Sequence, residues 1–358
     1  MVLVDAVRAV GSALSGTSRR LAPPPASLLD AASGFWRTHA LGAVARLGVA
    51  DQLTDGPRDV AALAAATDAD EDSLFRVLRA LAADGIFRRT GPRTFALNTL
   101  AEPLRSDHPR SVRHTLIQIS SGWNQRIWSD LTATVTEGSP AFPRQYGGFL
   151  WDYFAEHPDE GEHFHRSMRE LSRLDMPQIL AAHDFGRYER IADVGGGSGQ
   201  LLAGILSAHP HLRGVLYDLP AATADAPAVL GAAGITDRVQ VVNGSFYDHV
   251  PPGCDAYLMR NIVHGLTDEQ ARPVLDRLRP AFGPRTRLLV LDCLVPEGSG
   301  GNHPGFLDLQ MMVGSGGRER SASEMAALFA ANGFHLVDVR RTPGPTAIFV
   351  GRLADPPR

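Results

Sequence analysis

The chain has 358 residues, 44% hydrophobic and 21% charged, with a formal net charge of −4; this is ordinary globular composition, long enough for two or three domains and without the basic excess of a nucleic-acid binder. All 35 basic residues are arginine and the only cysteines are Cys254 and Cys293, with no Cys-x-x-Cys spacing, which excludes a catalytic lysine and a disulfide framework. No run approaches the ~20 apolar residues of a membrane span, and residues 2–10 are too broken by Asp5 and Arg8 for a signal peptide, so a cytoplasmic protein is expected.

Residues 1 to about 28 are rich in Ser, Ala and Pro and end in Pro23-Pro24-Pro25, which reads as a mobile arm or loosely docked helix. Apolar residues at helical spacing (Phe35, Trp36, Leu41, Val44, Leu47) predict a helix over 32–53. Asp59 is placed to cap a short helix through Ala66, and Asp70 opens another that ends at Asp84-Gly85. The alternating runs 86–88 and 94–97 around Gly91-Pro92 predict a hairpin. Helix, helix, hairpin is a winged helix. Such a module suggests DNA binding, but residues 51–100 hold six Arg against eight Asp or Glu, and a groove-reading surface needs phosphate-neutralising charge. A packing or dimerisation module is the reading.

Residues 105–180 read as mostly helical and aromatic-rich, from Trp123 to Phe164. Core packing explains most of these rings; a few, with Trp123 as the candidate, are open to lining a pocket for a flat apolar substrate. The histidines His157, His163 and His165 cluster there without diagnostic ligand spacing, so no metal is expected.

From residue 188 the period changes. Strand-like runs appear at 191–194, 215–217, 239–242, 256–259, 288–291, 336–339 and 347–350, with helices separating the first five and an antiparallel pair at the end. That pattern predicts an α/β fold with a Rossmann-like, mainly parallel seven-stranded sheet behind a mostly helical N-terminal winged-helix domain. The domain reading is 1–105 for arm and winged helix, 106–180 for a helical connecting and pocket region, and 181–358 for the cofactor-binding catalytic domain. Capping boxes are expected at Thr267/Gln270 and Ser321/Glu324, a stop at Gly333 and a kink at Pro273.

The stretch Asp193-Val194-Gly195-Gly196-Gly197-Ser198-Gly199 follows the first of these strands. Strand, glycine turn, helix is the shape of a nucleotide-cofactor site. The dinucleotide pattern fails, because the third glycine position falls on Gln200, and no Gly-Lys-Ser/Thr offers a phosphate loop. Asp193 beside the turn suits a ligand of positive charge and would repel a pyrophosphate. Asp218, at the end of the next strand, stands where a carboxylate accepts ribose hydroxyls.

These residues resemble the first motif of class I S-adenosylmethionine-dependent methyltransferases, above all the small-molecule O-methyltransferases of plant phenylpropanoid and bacterial natural-product pathways. The resemblance runs from about Phe35 to Arg352. It implies a homodimer formed through the N-terminal winged helix and a cofactor held as follows. Gly195, Gly197 and Gly199 with Asp193 face its methionine portion, Asp218 its ribose, and Ser245-Phe246 its adenine, with Ser245 where the family usually has Asp. Arg260 stands where a basic residue closes over the cofactor, and Met168 and Ser172 on the helix that lays a methionine and a hydroxyl against it.

O-methylation requires a positioned base. His264 follows the fourth strand at the carboxyl edge where ligands bind, and its segment resembles the family's catalytic one, with Gly265-Leu266 in place of Asp-Trp. By the same resemblance Asp292 and Glu319 are the orienting acids and Met311 or Met312 touches the acceptor; Glu319, among arginines, also reads as a surface ion pair. The expected activity is methyl transfer to a hydroxyl of an aromatic or polyketide-like molecule. The rival readings are a C- or N-methyltransferase or non-methylating homologue on the same fold, and, more distantly, a winged-helix regulator.

Overall fold

The computed structural model describes residues 23–298 and 302–354; most of the expected N-terminal arm lies outside the described residues. The chain forms two compact units: the described residues of Ala6–Ser129 with Trp151–Leu174, and Asp130–Leu150 with the described residues of Asp175–Arg358. No helix among the described residues is long and apolar enough to cross a membrane.

In the first unit, helix α1 (Pro24–Leu47) starts earlier than its apolar spacing predicts. Pro24 lies in the first turn, where a missing N–H is no loss, so residues 24–28 take the helix of the two expected alternatives. The helix also stops earlier, at Gly48 with φ 69°, and a short 3-10 turn at Asp51–Leu53 takes the place of its expected end. Strand β1 (Arg58–Asp59), α2 (Val60–Thr67), α3 (Glu71–Ala83), β2 (Arg88–Arg89) and β3 (Thr94–Ala96) follow. Asp59 and Asp70 accept from the N–H groups of Ala61 and Ser73, which makes them the caps their positions suggest. β3 pairs with β2 as the expected hairpin and also with β1, a third strand too short to leave a period. Val60, Leu63, Leu78 and Phe95 centre this unit's core.

Helices α4 (Arg113–Ile119), α5 (Gly122–Ser129), α6 (Leu131–Glu137), α7 (Ala141–Tyr146), α8 (Leu150–Glu156) and α9 (Pro158–Ala182) come next. The second unit is then built on β4 (Arg190–Val194), α10 (Gln200–Ala208), β5 (Arg213–Asp218), α11 (Ala226–Ala232), β6 (Val239–Asn243), β7 (Ala256–Arg260), α12 (Asp268–Leu278), β8 (Arg287–Cys293), α13 (Asn302–Gly314), α14 (Ala322–Ala331), β9 (Phe334–Arg341) and β10 (Thr346–Leu353). The strands form one sheet in the order β6-β5-β4-β7-β8-β10-β9. The first five are parallel, and β10 lies antiparallel to both its neighbours. Side chains alternate between two cores: Ala192, Val215 and Tyr257 face Val274, Leu278 and Phe329, while Ile191, Leu216 and Leu258 face Leu202, Ile205 and Ile179. Burial on both faces explains why these strands read as continuous apolar runs. Both capping boxes form, Gly333 takes φ 76° just past α14, and α12 runs uninterrupted through Pro273.

One expected element is missing: no helix separates β6 from β7. Pro251, Pro252 and Gly253 disfavour one there, and the Tyr217 hydroxyl instead reaches the carbonyls of Ser245 and His249, at 2.9 and 2.7 Å, holding the segment as a loop. Tyr217→Phe removes both of these hydrogen bonds, and the Ser245 carbonyl keeps only its bonds from the Asp248 and His249 N–H groups. The substitution should cost about 1–2 kcal/mol in chemical denaturation; unchanged stability would mean the loop holds itself.

Candidate active site

The parallel sheet brings the carboxyl ends of β4, β5, β7 and β8 to one edge, and the chemistry collects there. Gly195, Gly197 and Gly199 all take positive φ, at 73°, 55° and 81°, a region costly to any residue with a Cβ. A Cβ on Gly196 would fall 2.6 Å from Asp193 Cγ, whereas one on Gly197 would meet nothing within 4 Å. The turn therefore folds over its own acid and presents one bare face outward. Asp193 is 1% exposed, and its Oδ2 has no hydrogen-bond partner. Burial, followed by the charge of Asp218 and opposed by Arg260, pushes its pKa up to about 7. A buried carboxylate oxygen without a partner is costly, and a cationic ligand against this turn would relieve it.

Asp218 Oδ2 accepts from the Gly197 N–H at 2.8 Å and Oδ1 from the Leu219 N–H at 2.7 Å; a carboxylate's further lone pairs suit two hydroxyls. Ser245 Oγ accepts from the Tyr247 N–H at 3.2 Å, so its short side chain serves its own turn. Half-buried Phe246 lies on the glycine turn, with Cε1 3.6 Å from where a Cβ on Gly195 would be. Arg260, ending β7, donates from Nη2 to Asp175 Oδ2 at 3.1 Å, and Thr346 donates to the same oxygen. That partner, on the last turns of α9, is not legible in the sequence. Bare glycine face, orphan acid and second acid together fit a nucleoside-bearing cation.

The second centre lies one strand over. Asn261, with φ 55°, swings the chain off β7 into the single 3-10 turn Val263–Gly265. There His264 Nδ1 is 2.7 Å from Glu319 Oε1, and none of the Glu319 side chain is exposed. Glu319 Oε2 also accepts from the Cys293 N–H at 3.1 Å, and its own N–H donates to Asp308 Oδ1 at 2.8 Å. It is thus a fixed interior carboxylate, and the surface ion-pair reading is overturned. Burial alone would lower the His264 pKa, but the Glu319 hydrogen bond and charge, with the charge of Asp292, reverse this and raise it. Asp292 is 1% exposed, with neither oxygen in a hydrogen bond; burial raises its pKa, His264 opposes the rise and Glu319 adds to it. His264, Asp292 and Glu319 therefore share one centre. Gly317 is the residue the sequence reading passed over: a Cβ there would fall 2.2 Å from the His264 carbonyl oxygen, so only glycine lets the Glu319 segment lie against the histidine turn.

Met311 and Met312 lie part-buried on α13. The remaining candidates belong to the first unit. Ser172 is buried and Met168 half-buried on α9. Trp123 is 4% exposed, with its ring against Tyr153 and Phe154, a core packing position. His163 Nδ1 lies 2.9 Å from His114 Nδ1 and His157 stacks on Tyr153.

The mainly parallel seven-stranded sheet is that of class I methyltransferases. Residues 128–335 match the family model for the O-methyltransferase domain and residues 29–107 that for the O-methyltransferase dimerisation domain; the chain belongs to the O-methyltransferase family, whose cofactor is S-adenosylmethionine. A phenazine O-methyltransferase of Lysobacter antibioticus is 35% identical over 92% of this chain and 96% of its own length. An 8-amino-8-demethylriboflavin N,N-dimethyltransferase of Streptomyces davaonensis is 39% identical over 84% of this chain and 87% of its own. A solved O-methyltransferase from neocarzinostatin biosynthesis, in complex with S-adenosylmethionine and 2-hydroxy-5-methyl naphthoic acid, has a TM-score of 0.76 at 32% identity, covering 88% of this chain and 96% of that one.

Two outcomes are expected. A cation binds the ionised form of Asp193, so binding releases its proton, and cofactor affinity by calorimetry should climb as pH rises to about 7 and flatten above. Asp193→Asn should weaken binding and remove that slope; a slope that survives the substitution belongs to another group. Gly317→Ala should lower turnover about 10²-fold while cofactor affinity stays near wild type, and wild-type kinetics would show that the two segments have slack.

Proposed function

We propose that the protein transfers the methyl group of S-adenosylmethionine to a hydroxyl of an aromatic or polyketide-like small molecule, with His264 as the general base. The observation behind this is the 2.7 Å contact of His264 Nδ1 with the fully buried Glu319 carboxylate. A carboxylate only accepts, so Nδ1 carries the proton and donates it in the hydrogen bond to Glu319, and Nε2 is left with its lone pair. When bound, the cofactor supplies a sulfonium methyl, an electrophile that needs no further activation. Asp193 and the Gly195, Gly197 and Gly199 turn would hold its cationic end, Asp218 the ribose, and Ser245 and Phe246 the adenine. Arg260 would close over it, and Met311 or Met312 would touch the acceptor. The work left to the chain is removal of a proton from a hydroxyl whose pKa, for a phenol, is about 10. His264 takes that proton at Nε2, and the imidazolium formed is stabilised by Glu319 and by Asp292, which faces it without a hydrogen bond of its own.

The match to a dimerisation domain, together with Leu28, Leu29, Phe35 and Trp36 standing exposed along α1, supports a homodimer through this helix, since such a patch is rarely left in water. The domain division proposed is 1–105, 106–180 and 181–358.

His264→Gln should lower turnover on phenolic acceptors by about 10²–10⁴, with cofactor affinity by calorimetry near wild type. Only neutral His264 serves as base, so wild-type turnover should fall as pH drops through a value above the ordinary imidazole pKa. Retained turnover in the variant would move the reading toward an amine acceptor, as in the dimethyltransferase relative.

A further inference from the structure

Arg320 is the largest fully buried side chain of the described residues, with 1% of it exposed, and it takes no part in the proton transfer proposed for His264. A buried guanidinium is tolerable only if its donors are met. Here Nη1 donates to the carbonyls of Val263 and Arg318, at 3.0 and 3.3 Å, and Nη2 to that of Leu266 at 3.0 Å. Nη2 and Nε both reach Asp268 Oδ1, at 2.7 and 3.2 Å. Val263 and Leu266 bracket His264. The Arg320 backbone is tied in turn to the end of β8, bridging Leu294 and accepting from the Val295 N–H at 3.2 Å. One residue therefore grips both sides of the histidine turn while anchored beside Glu319.

We propose that Arg320 is a positioning residue: it clamps the Val263–Leu266 turn so that His264 Nδ1 stays seated on Glu319. The inference rests on the His264 base reading. A plug that merely filled space would need no fork; this one spends its donors on two carbonyls three residues apart, on either side of His264 in a turn that has only three helical residues. The charge also fits, because Arg320 counters Asp292, which with Glu319 faces His264, while Asp308 faces the Glu319 backbone. Lysine keeps the charge but loses the planar fork.

The test is Arg320→Lys beside Asp268→Ala, which removes a half-exposed partner without opening the interior. Each is followed by the pH–rate profile and by NMR titration of ring-labelled histidine, with His264 assigned through His264→Gln. Arg320→Lys should lower kcat about 10–100-fold with KM for cofactor and acceptor near wild type. The acid limb and the His264 resonance should both move down toward the free-imidazole value of about 6.5. Asp268→Ala should shift both the same way, with a few-fold lower kcat. A folded Arg320→Lys with wild-type kcat and His264 titration overturns the proposal, and so does a wild-type Asp268→Ala should the lysine variant not fold. If His264→Gln keeps turnover, the base reading fails, while the His264 titration still reports whether Arg320 seats the ring. If His264→Gln is inactive and both clamp variants titrate as wild type, only the clamp falls.

Discussion

A carboxylate with none of its side chain exposed, hydrogen-bonded to a histidine that follows the neighbouring strand, is the constraint around which the catalytic unit is arranged. Such a group is costly to bury unless every oxygen is met. The fold meets Glu319 from three directions: the His264 ring, the Cys293 N–H at the end of β8, and Asp308 on the N–H of Glu319 itself. Each contact requires another approach to be close. Gly317 removes the side chain that would keep the two segments apart, and Asn261 accepts a left-handed conformation so that the turn can start at once after β7.

The parallel sheet is what makes these approaches possible. Strands running the same way deliver their last residues to one edge, so Asp193, Asp218, Arg260 and Asp292, on β4, β5, β7 and β8, all lie along that edge. The antiparallel insertion of β10 beside β8 sets Thr346 opposite Cys293, and its hydroxyl joins Arg260 on Asp175. Burial on both sheet faces supplies the low-dielectric walls that make each charge at the edge count.

The legible parts of this arrangement are local ones. The glycine turn, the strand runs, the Asp59 and Asp70 caps and both capping boxes depend on residues within a few positions of each other, and each was readable. The missing helix between β6 and β7 was not, because Tyr217 on another strand decides it. Neither was the start of α1, where the prolines left arm and docked helix both open although one suits a first turn. The segment Arg318-Glu319-Arg320 looks like solvated surface by composition, yet two of its three residues are interior; what buries them lies 55 positions away in His264 and 52 in Asp268. Arg260 and Asp175, 85 apart, are the same case. Trp123 shows the converse: an aromatic in a pocket-like stretch that packs as core.

Two buried acids stand out because the protein leaves them incomplete. Asp193 and Asp292 each lack a hydrogen-bond partner on at least one oxygen, and each has its pKa raised by burial. They differ in where their complement comes from. Asp193 faces the glycine turn, and on the proposed reading its cation arrives with the cofactor. Asp292 faces His264, and on the same reading its cation does not exist until the imidazole has taken the acceptor's proton. Stabilisation withheld from the resting site and delivered as charge develops acts on the transition state more than on the ground state. With His264 as the base, a fully hydrogen-bonded Asp292 would make a more stable resting protein and a weaker catalyst.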